Sequence, residues 1–181
     1  LQRRFGVGFE QLAHRLTTLQ RVGQRGLPFF MARIDRAGQF SKRYAGASGT
    51  LLLESDTSCP LWVVHEAFER AGRTCVQLVE VPDGAGQPSR WLTLAQTVER
   101  SGTLGASAAR FAVVLGLEAR LAGQLAQARA LSLDPVQAVP IGPGCAQCHR
   151  ATCLQRALPP RGAALAFDER TRALTPFSFG G

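Results

Sequence analysis

Residues 145–153 read CAQCHRATC, three cysteines at C-x2-C-x4-C spacing in a chain that has five. A two-residue gap sets two sulfurs on one tight turn, within reach of one metal centre. The third cysteine, five residues on, closes the loop round it. A closed site takes four protein ligands, so one more must come from elsewhere. His149 directly follows Cys148 and is badly placed to share a tetrahedral centre with it. Cys75 lies in the alternating segment TCVQLVEV and reads as a buried apolar thiol. Cys59 precedes Pro60 at the start of a helical pattern, and proline after a ligating cysteine also marks bacterial ferredoxin runs. The expected ligand set is Cys59, Cys145, Cys148 and Cys153. Spacing leaves the metal open. Structural zinc sites more often show two C-x2-C pairs, whereas three cysteines in one loop plus a distant fourth point towards iron–sulfur.

The rest of the composition agrees with metal rather than disulfides. The cysteine count is odd, and the opening LQRRFGVGFEQL has no apolar core of a secretory signal, so a cytoplasmic protein is expected. No apolar run approaches the ~20 residues of a membrane helix. The chain opens on Leu with residues that read as mid-protein, and it is expected to be a piece of something longer. Net charge is +8, with Lys42 the single lysine among 21 basic residues. The arginines are scattered, without a run of five or six. The excess reads as a solvated surface or as attraction for an anionic ligand, not as a nucleic-acid tail.

Periodicity supplies a fold. Residues 5–21 carry apolar side chains at Phe5, Phe9, Leu12, Leu16 and Leu19, which is helical spacing. Strands are expected at roughly 28–34 and 39–44, joined by a hairpin turn over Asp35–Gly38. A helix follows over CPLWVVHEAFERAG, with Leu61, Val64 and Phe68 on one face. Three strands come next, at 74–81, 90–99 and 110–119, separated by the turn PDGAGQP and the loop SGTLGAS. EARLAGQLAQARAL reads as a helix, DPVQAVPIGPG as an irregular approach to the cysteines, and the tail as a final pair of short strands. The expected class is α+β: a mostly antiparallel sheet with helices on one side, like GAF or PAS sensor domains, plus an irregular Cys-rich C-terminal segment. The expected division is an N-terminal helix at 1–26, the tail of a preceding segment or a dimer contact. A sensor domain at 27–135 and a cluster-binding segment at 136–181 follow.

An enzyme is not expected. HEAFE (65–69) misses the zinc-peptidase signature, because position 69 is Glu where a second His is needed one helical turn on. Four cysteine ligands leave no open metal position, and no nucleophile–base pair or carboxylate pair stands out.

RRFGVGFEQLAHRLTTLQR, GLPFF, QFSKR, CPLWVVHEAF, FAVVLGLEAR and IGPGCAQCHRATCLQRALPP together resemble one family along nearly the whole chain. It is the C-terminal part of the short-chain fatty acyl transcriptional regulators, bacterial XRE-type proteins that include mycobacterial regulators of the methylcitrate cycle and glyoxylate shunt. The resemblance implies a sensor for short-chain acyl-CoA or coenzyme A and a [4Fe–4S] cluster on Cys59, Cys145, Cys148 and Cys153, with zinc the alternative. It also implies DNA contact only through a helix-turn-helix that this chain lacks, and a homodimer. A zinc-bound dimerisation or contact module is the other functional reading. For coenzyme A, the chemistry of phosphate and adenine singles out Arg33, Lys42 and Arg43, with Trp62 and His65 close to Cys59.

Overall fold

The computed structural model describes residues 1–82, 88–100, 108–126, 128, 131–167, 170, 175 and 178–179. The expected turn PDGAGQP and loop SGTLGAS fall mainly or wholly outside them, at 83–87 and 101–107. The elements in chain order are α1 (Gln2–Phe5), α2 (Phe9–Thr17), β1 (Gln20–Arg21), β2 (Gln24–Arg25), β3 (Phe30–Ile34), β4 (Phe40–Tyr44) and α3 (Glu66–Glu69). Then come β5 (Cys75–Pro82), β6 (Pro88–Arg100), β7 (Ala109–Glu118), β8 (Val139–Pro140), β9 (Leu165–Ala166) and β10 (Ser178–Phe179). Six strands form one sheet in the order β4-β3-β7-β6-β5-β8, antiparallel throughout except for β8, which runs parallel to β5. The α+β class and the five sequence-derived strands are therefore present, and β9 and β10 pair as the expected short ribbon.

Alternation along the strands sorts the core into two faces. Phe30, Ala32, Ile34, Val79, Trp91, Ala112 and Val114 point to one face, where the connector between β4 and β5 brings Trp62, Val64 and Ala67. Met31, Val113, Leu115 and Leu117 point to the other, where Phe9 and Ala13 of α2 cover them. The helices are thus divided between the two faces rather than gathered on one. Gly116 pairs with Phe30 across β7 and β3, and a Cβ there would fall inside the Phe30 ring, which itself stands edge-on to Trp91 with centroids 5.6 Å apart. Gly116→Ala should therefore overpack the sheet centre and cost about 1–3 kcal/mol, seen as a lowered urea midpoint with an unchanged slope.

Three expected helices are shorter or of another kind. The stretch 5–21 is broken at Gly6, which takes φ 62°, and restarts at Gly8 as α2. The stretch after Cys59 is mostly a chain of turns and only four residues of it are α-helical. The Gln77 amide accounts for this. Its Oε1 accepts from the Val63 N–H at 2.8 Å and its Nε2 donates to the Leu61 carbonyl at 3.0 Å, so these backbone groups are occupied by β5. The third, over Ala119–Gln124, is a 3-10 helix. Its apolar residues recur every three positions, at Ala122, Leu125, Ala128 and Leu131. This stacks them on the sheet when the chain closes i→i+3 bonds, as it does at Leu125, Ala128 and Leu131.

One ion cluster fastens α2 to the sheet. The Glu10 carboxylate accepts from Lys42 Nζ at 2.6 Å and Arg33 Nη1 at 3.1 Å. Burial alone would raise the Glu10 pKa, but the Lys42 hydrogen bond and the charges of Arg33, Lys42 and Arg100 outweigh it and hold the carboxyl below its ordinary range. The contribution is therefore full above the free glutamate range and fades as pH falls through the lowered folded value. Glu10→Gln should lower stability at neutral pH and flatten the acid arm of the stability–pH curve, measured by thermal melts between pH 3 and pH 7 on a scale set by the ordinary glutamate range.

Candidate metal centre

The sixth strand is what delivers the cysteines. Val139 pairs with Val79 and Pro140 with Glu80, and the Ile141 N–H donates to the Glu80 carbonyl at 2.9 Å. Ile141 is fully buried, so the chain leaves the sheet at a fixed point and enters Gly142-Pro143-Gly144. Gly144 adopts φ 82°, ψ 150°, a conformation open essentially to glycine alone. A Cβ on it would stand 2.6 Å from the Thr57 carbonyl oxygen. Cys145 then opens a 3-10 turn that runs to Gln147, and the Cys148 N–H closes it on the Cys145 carbonyl.

Thr57 leads to Cys59 on the facing segment. That segment is tied to the β3–β4 hairpin by the Ser58 N–H and Oγ, both donating to the Gly38 carbonyl. Gly38, at φ 82°, completes the hairpin turn over Asp35–Gly38. Cys59, Cys145, Cys148 and Cys153 consequently line one cavity, together with Gly142, Gly144 and Arg156. All four thiols are free. Cys59 is buried and the other three are half-buried. Desolvation pushes the Cys59 thiol pKa up; hydrogen bonds from the backbone of Gly142 and Leu61 pull it down, and the neighbouring Cys145 and Cys148 add to the rise. The fifth cysteine, Cys75, is buried at the start of β5 away from this set.

The donor chemistry suits a thiophilic metal or cluster: four unpaired sulfurs from two distant stretches of chain, with backbone amides aimed at one of them. The space they enclose is about 20 Å³. Among the described residues no three Cys, His, Asp or Glu side chains stand close enough together to hold a single ion. A Cβ on Gly142 would come within 2.5 Å of Cys148 Sγ. Gly142→Ala should therefore displace that sulfur and, if the four cysteines hold a metal as expected from the sequence, weaken its retention by about 10- to 100-fold, the range for groups that orient ligands, measured by competition with a chromogenic chelator.

The five residues proposed for coenzyme A do not share one pocket. Arg33 and Lys42 meet at Glu10, and Arg33 also lies 4.5 Å over the Phe111 ring. Trp62 is buried and its Nε1–H donates to Thr93 Oγ1 at 3.2 Å. His65 lies 3.1 Å from Ser58 Oγ, with its pKa lowered chiefly by burial. Arg43 stacks 4.7 Å over Phe40, which in turn tilts against Trp62. A separate cleft of about 850 Å³ opens beside the cysteine loop, walled by Leu51, Val81, Pro82 and Pro143, with His149 and Arg150 at its polar side. Cys148 lines both this cleft and the cysteine cavity.

Two residues of the site carry no obvious sequence signal. Gln77 reads as one outward position of an alternating strand. Arg156 reads as one of twenty arginines, yet it is buried beneath the loop. Only its place in the run CLQRA, three residues after Cys153, marks it.

Fold and site define an α+β domain in which four cysteines line one cavity between a sheet edge and a hairpin. The family model for the short-chain fatty acyl coenzyme A regulator, C-terminal, matches residues 18–177, and the chain belongs to that family. It is 43% identical over 177 residues to the HTH-type transcriptional regulator RamB of Mycobacterium tuberculosis, covering 96% of this chain and 36% of the relative. Identity to the HTH-type transcriptional regulator PrpR of the same species is 43% over 179 residues. Identity to a propionyl-CoA carboxylase regulator of Cereibacter sphaeroides is 42% over 174 residues. The chain spans about a third of the length of these relatives. A solved structure described as a Mycobacterium tuberculosis transcriptional regulator superposes with a TM-score of 0.87 at 42% identity, covering 98% of this chain and 53% of that one. Among the described residues no helix is long and apolar enough to cross a membrane.

Proposed function

We propose that the chain is the sensing region of a bacterial transcriptional regulator of short-chain acyl metabolism. In this reading it holds a [4Fe–4S] cluster on Cys59, Cys145, Cys148 and Cys153 and responds to an acyl-CoA. DNA is contacted by a helix-turn-helix elsewhere in a longer, homodimeric cytoplasmic protein. The observation that carries it is the convergence of four free cysteines from positions 59 and 145–153 on one cavity. Family membership supports the regulatory role, and the relatives are regulators rather than enzymes by name. When bound, the cluster supplies a redox-responsive centre at the sheet edge; the chain's own contribution is to fix the four thiols and shield Cys59 from water.

A second reading, one zinc ion in a purely structural clip, has the small enclosed volume in its favour. Three cysteines on one loop with a distant fourth, together with membership of the family, favour the cluster. The ligand is assigned to the cleft beside the loop, whose volume suits a small-molecule site. Its apolar wall takes the acyl arm, and Arg150 offers a positive charge to the anionic one, with Glu54 and the polar side chains of Ser55, Gln147 and His149 also on the lining. Titration with short-chain acyl-CoA followed by Trp fluorescence or calorimetry tests this. Saturable binding that Arg150→Glu weakens by about tenfold or more is expected, on the scale of a lost charged hydrogen bond. Unchanged binding in that variant would place the ligand elsewhere, and no binding at all would reject the sensing role for this chain.

A further inference from the structure

We infer that Arg156 is a positioning residue of the centre: it shapes the cysteine loop and donates its one remaining N–H to a sulfur of the group bound there. The inference rests on the cluster reading. An arginine has five N–H donors. Four of them, on the terminal nitrogens, go to backbone carbonyls of the loop: Nη1 to Cys145 at 3.3 Å and Leu158 at 3.1 Å, Nη2 to Cys148 at 2.9 Å and Arg150 at 2.6 Å. The guanidinium thus gathers the carbonyls of Cys145 and Cys148 and those of Arg150 and Leu158, which bracket Cys153 in the chain. The Phe179 ring closes over it at 4.6 Å.

The fifth donor, Nε–H, is buried and has no acceptor among the described residues. Arg156 is itself only 7% exposed, and no carboxylate among the described residues pairs with it. A buried cation and a buried donor left without partners are both unfavourable, and a bound group that is both an anion and an acceptor would complete what the described residues leave open. Arg156 lines the same cavity as the four cysteines. A cluster with four thiolates is an anion rich in sulfur acceptors, which answers both deficits at once. Positive charge and N–H···S bonds favour the more negative, reduced form, so they raise the reduction potential.

The test compares the whole chain with Arg156→Ala, Arg156→Lys and, as a control that removes an exposed positive charge from the same region, Arg161→Ala. Hydrogen exchange over 145–158 is read in metal-free protein; potential and retention in air are read after anaerobic loading. Arg156→Ala should speed exchange in the loop, shift the potential to more negative values and lose the cluster about 10- to 100-fold faster. Arg156→Lys should keep part of the potential but not the loop protection, since an ammonium cannot span four carbonyls. Arg161→Ala should match the wild type. Wild-type exchange and wild-type potential in both Arg156 variants would overturn the inference. If the wild type takes up neither iron nor sulfide while the metal-free variants still loosen, the cluster reading and the sulfur bond fall together and the positioning role alone stands.

Discussion

On the proposed ligation, Cys59→Ser should leave the protein folded but unable to retain metal: iron and sulfide, or zinc, fall to background after gel filtration, while the far-UV spectrum is kept. The reason is position. Cys59 is the one proposed ligand outside the 145–153 loop, and it sits on the connector that the Ser58–Gly38 hydrogen bonds fasten to the hairpin. Without it the remaining three sulfurs all belong to one loop, with no thiol from the facing connector to close the site. Serine preserves the size of the side chain and forms no comparable bond to iron or zinc. Cys75→Ser, at the start of β5 and outside the cavity, should leave metal content unchanged. Equal loss in both variants would mean that unfolding, and not ligation, removes the metal.

Trp62→Ala is the largest expected stability effect, about 3–5 kcal/mol, seen as a shift of the urea midpoint in metal-free protein. Trp62 is fully buried in the larger of the two cores and hangs three residues after Cys59. Its removal leaves a cavity against Phe40 and strips Thr93 of the Nε1–H that it accepts. Trp62→Phe, which fills most of the space, should cost markedly less. A ligand contact would behave differently: the alanine variant would keep its stability and lose affinity.

The strands were legible because their chemistry is local. TCVQLVEV and RWLTLAQTVE alternate, and they pair over Cys75–Pro82 and Pro88–Arg100. The hairpin was legible because Gly38 stands where the turn requires positive φ. The helices were less so, because their pattern is overridden by partners distant in sequence. Gln77 occupies the backbone groups of Leu61 and Val63 that a helix would use. Periodicity also says nothing about which face of the sheet a helix chooses; Phe9 and Ala13 on one side and Ala67 on the other settle that only in three dimensions.

The cysteine pattern named the four residues that converge, since thiols at that spacing have few other uses in a chain without a disulfide framework. What the pattern hid was the support: the two-residue strand β8, too short to read, and Arg156, which is buried among four backbone carbonyls and the Phe179 ring, all brought to it by the fold. The arginines and lysine offered for coenzyme A were chosen by charge and by their place on paired strands beside a Gly-rich loop. Charge does not distinguish a side chain waiting for a phosphate from one such as Arg33 or Lys42 that already has Glu10.

The central claim is the cluster on Cys59, Cys145, Cys148 and Cys153. Anaerobic purification followed by iron, sulfide and zinc analysis, with the visible spectrum of the same sample, addresses it directly. The account predicts about four irons and four sulfides per chain and a broad brown absorbance that bleaches on reduction, as thiolate-bound clusters show. About one zinc per chain in a colourless protein would contradict it and leave the four cysteines as a structural clip.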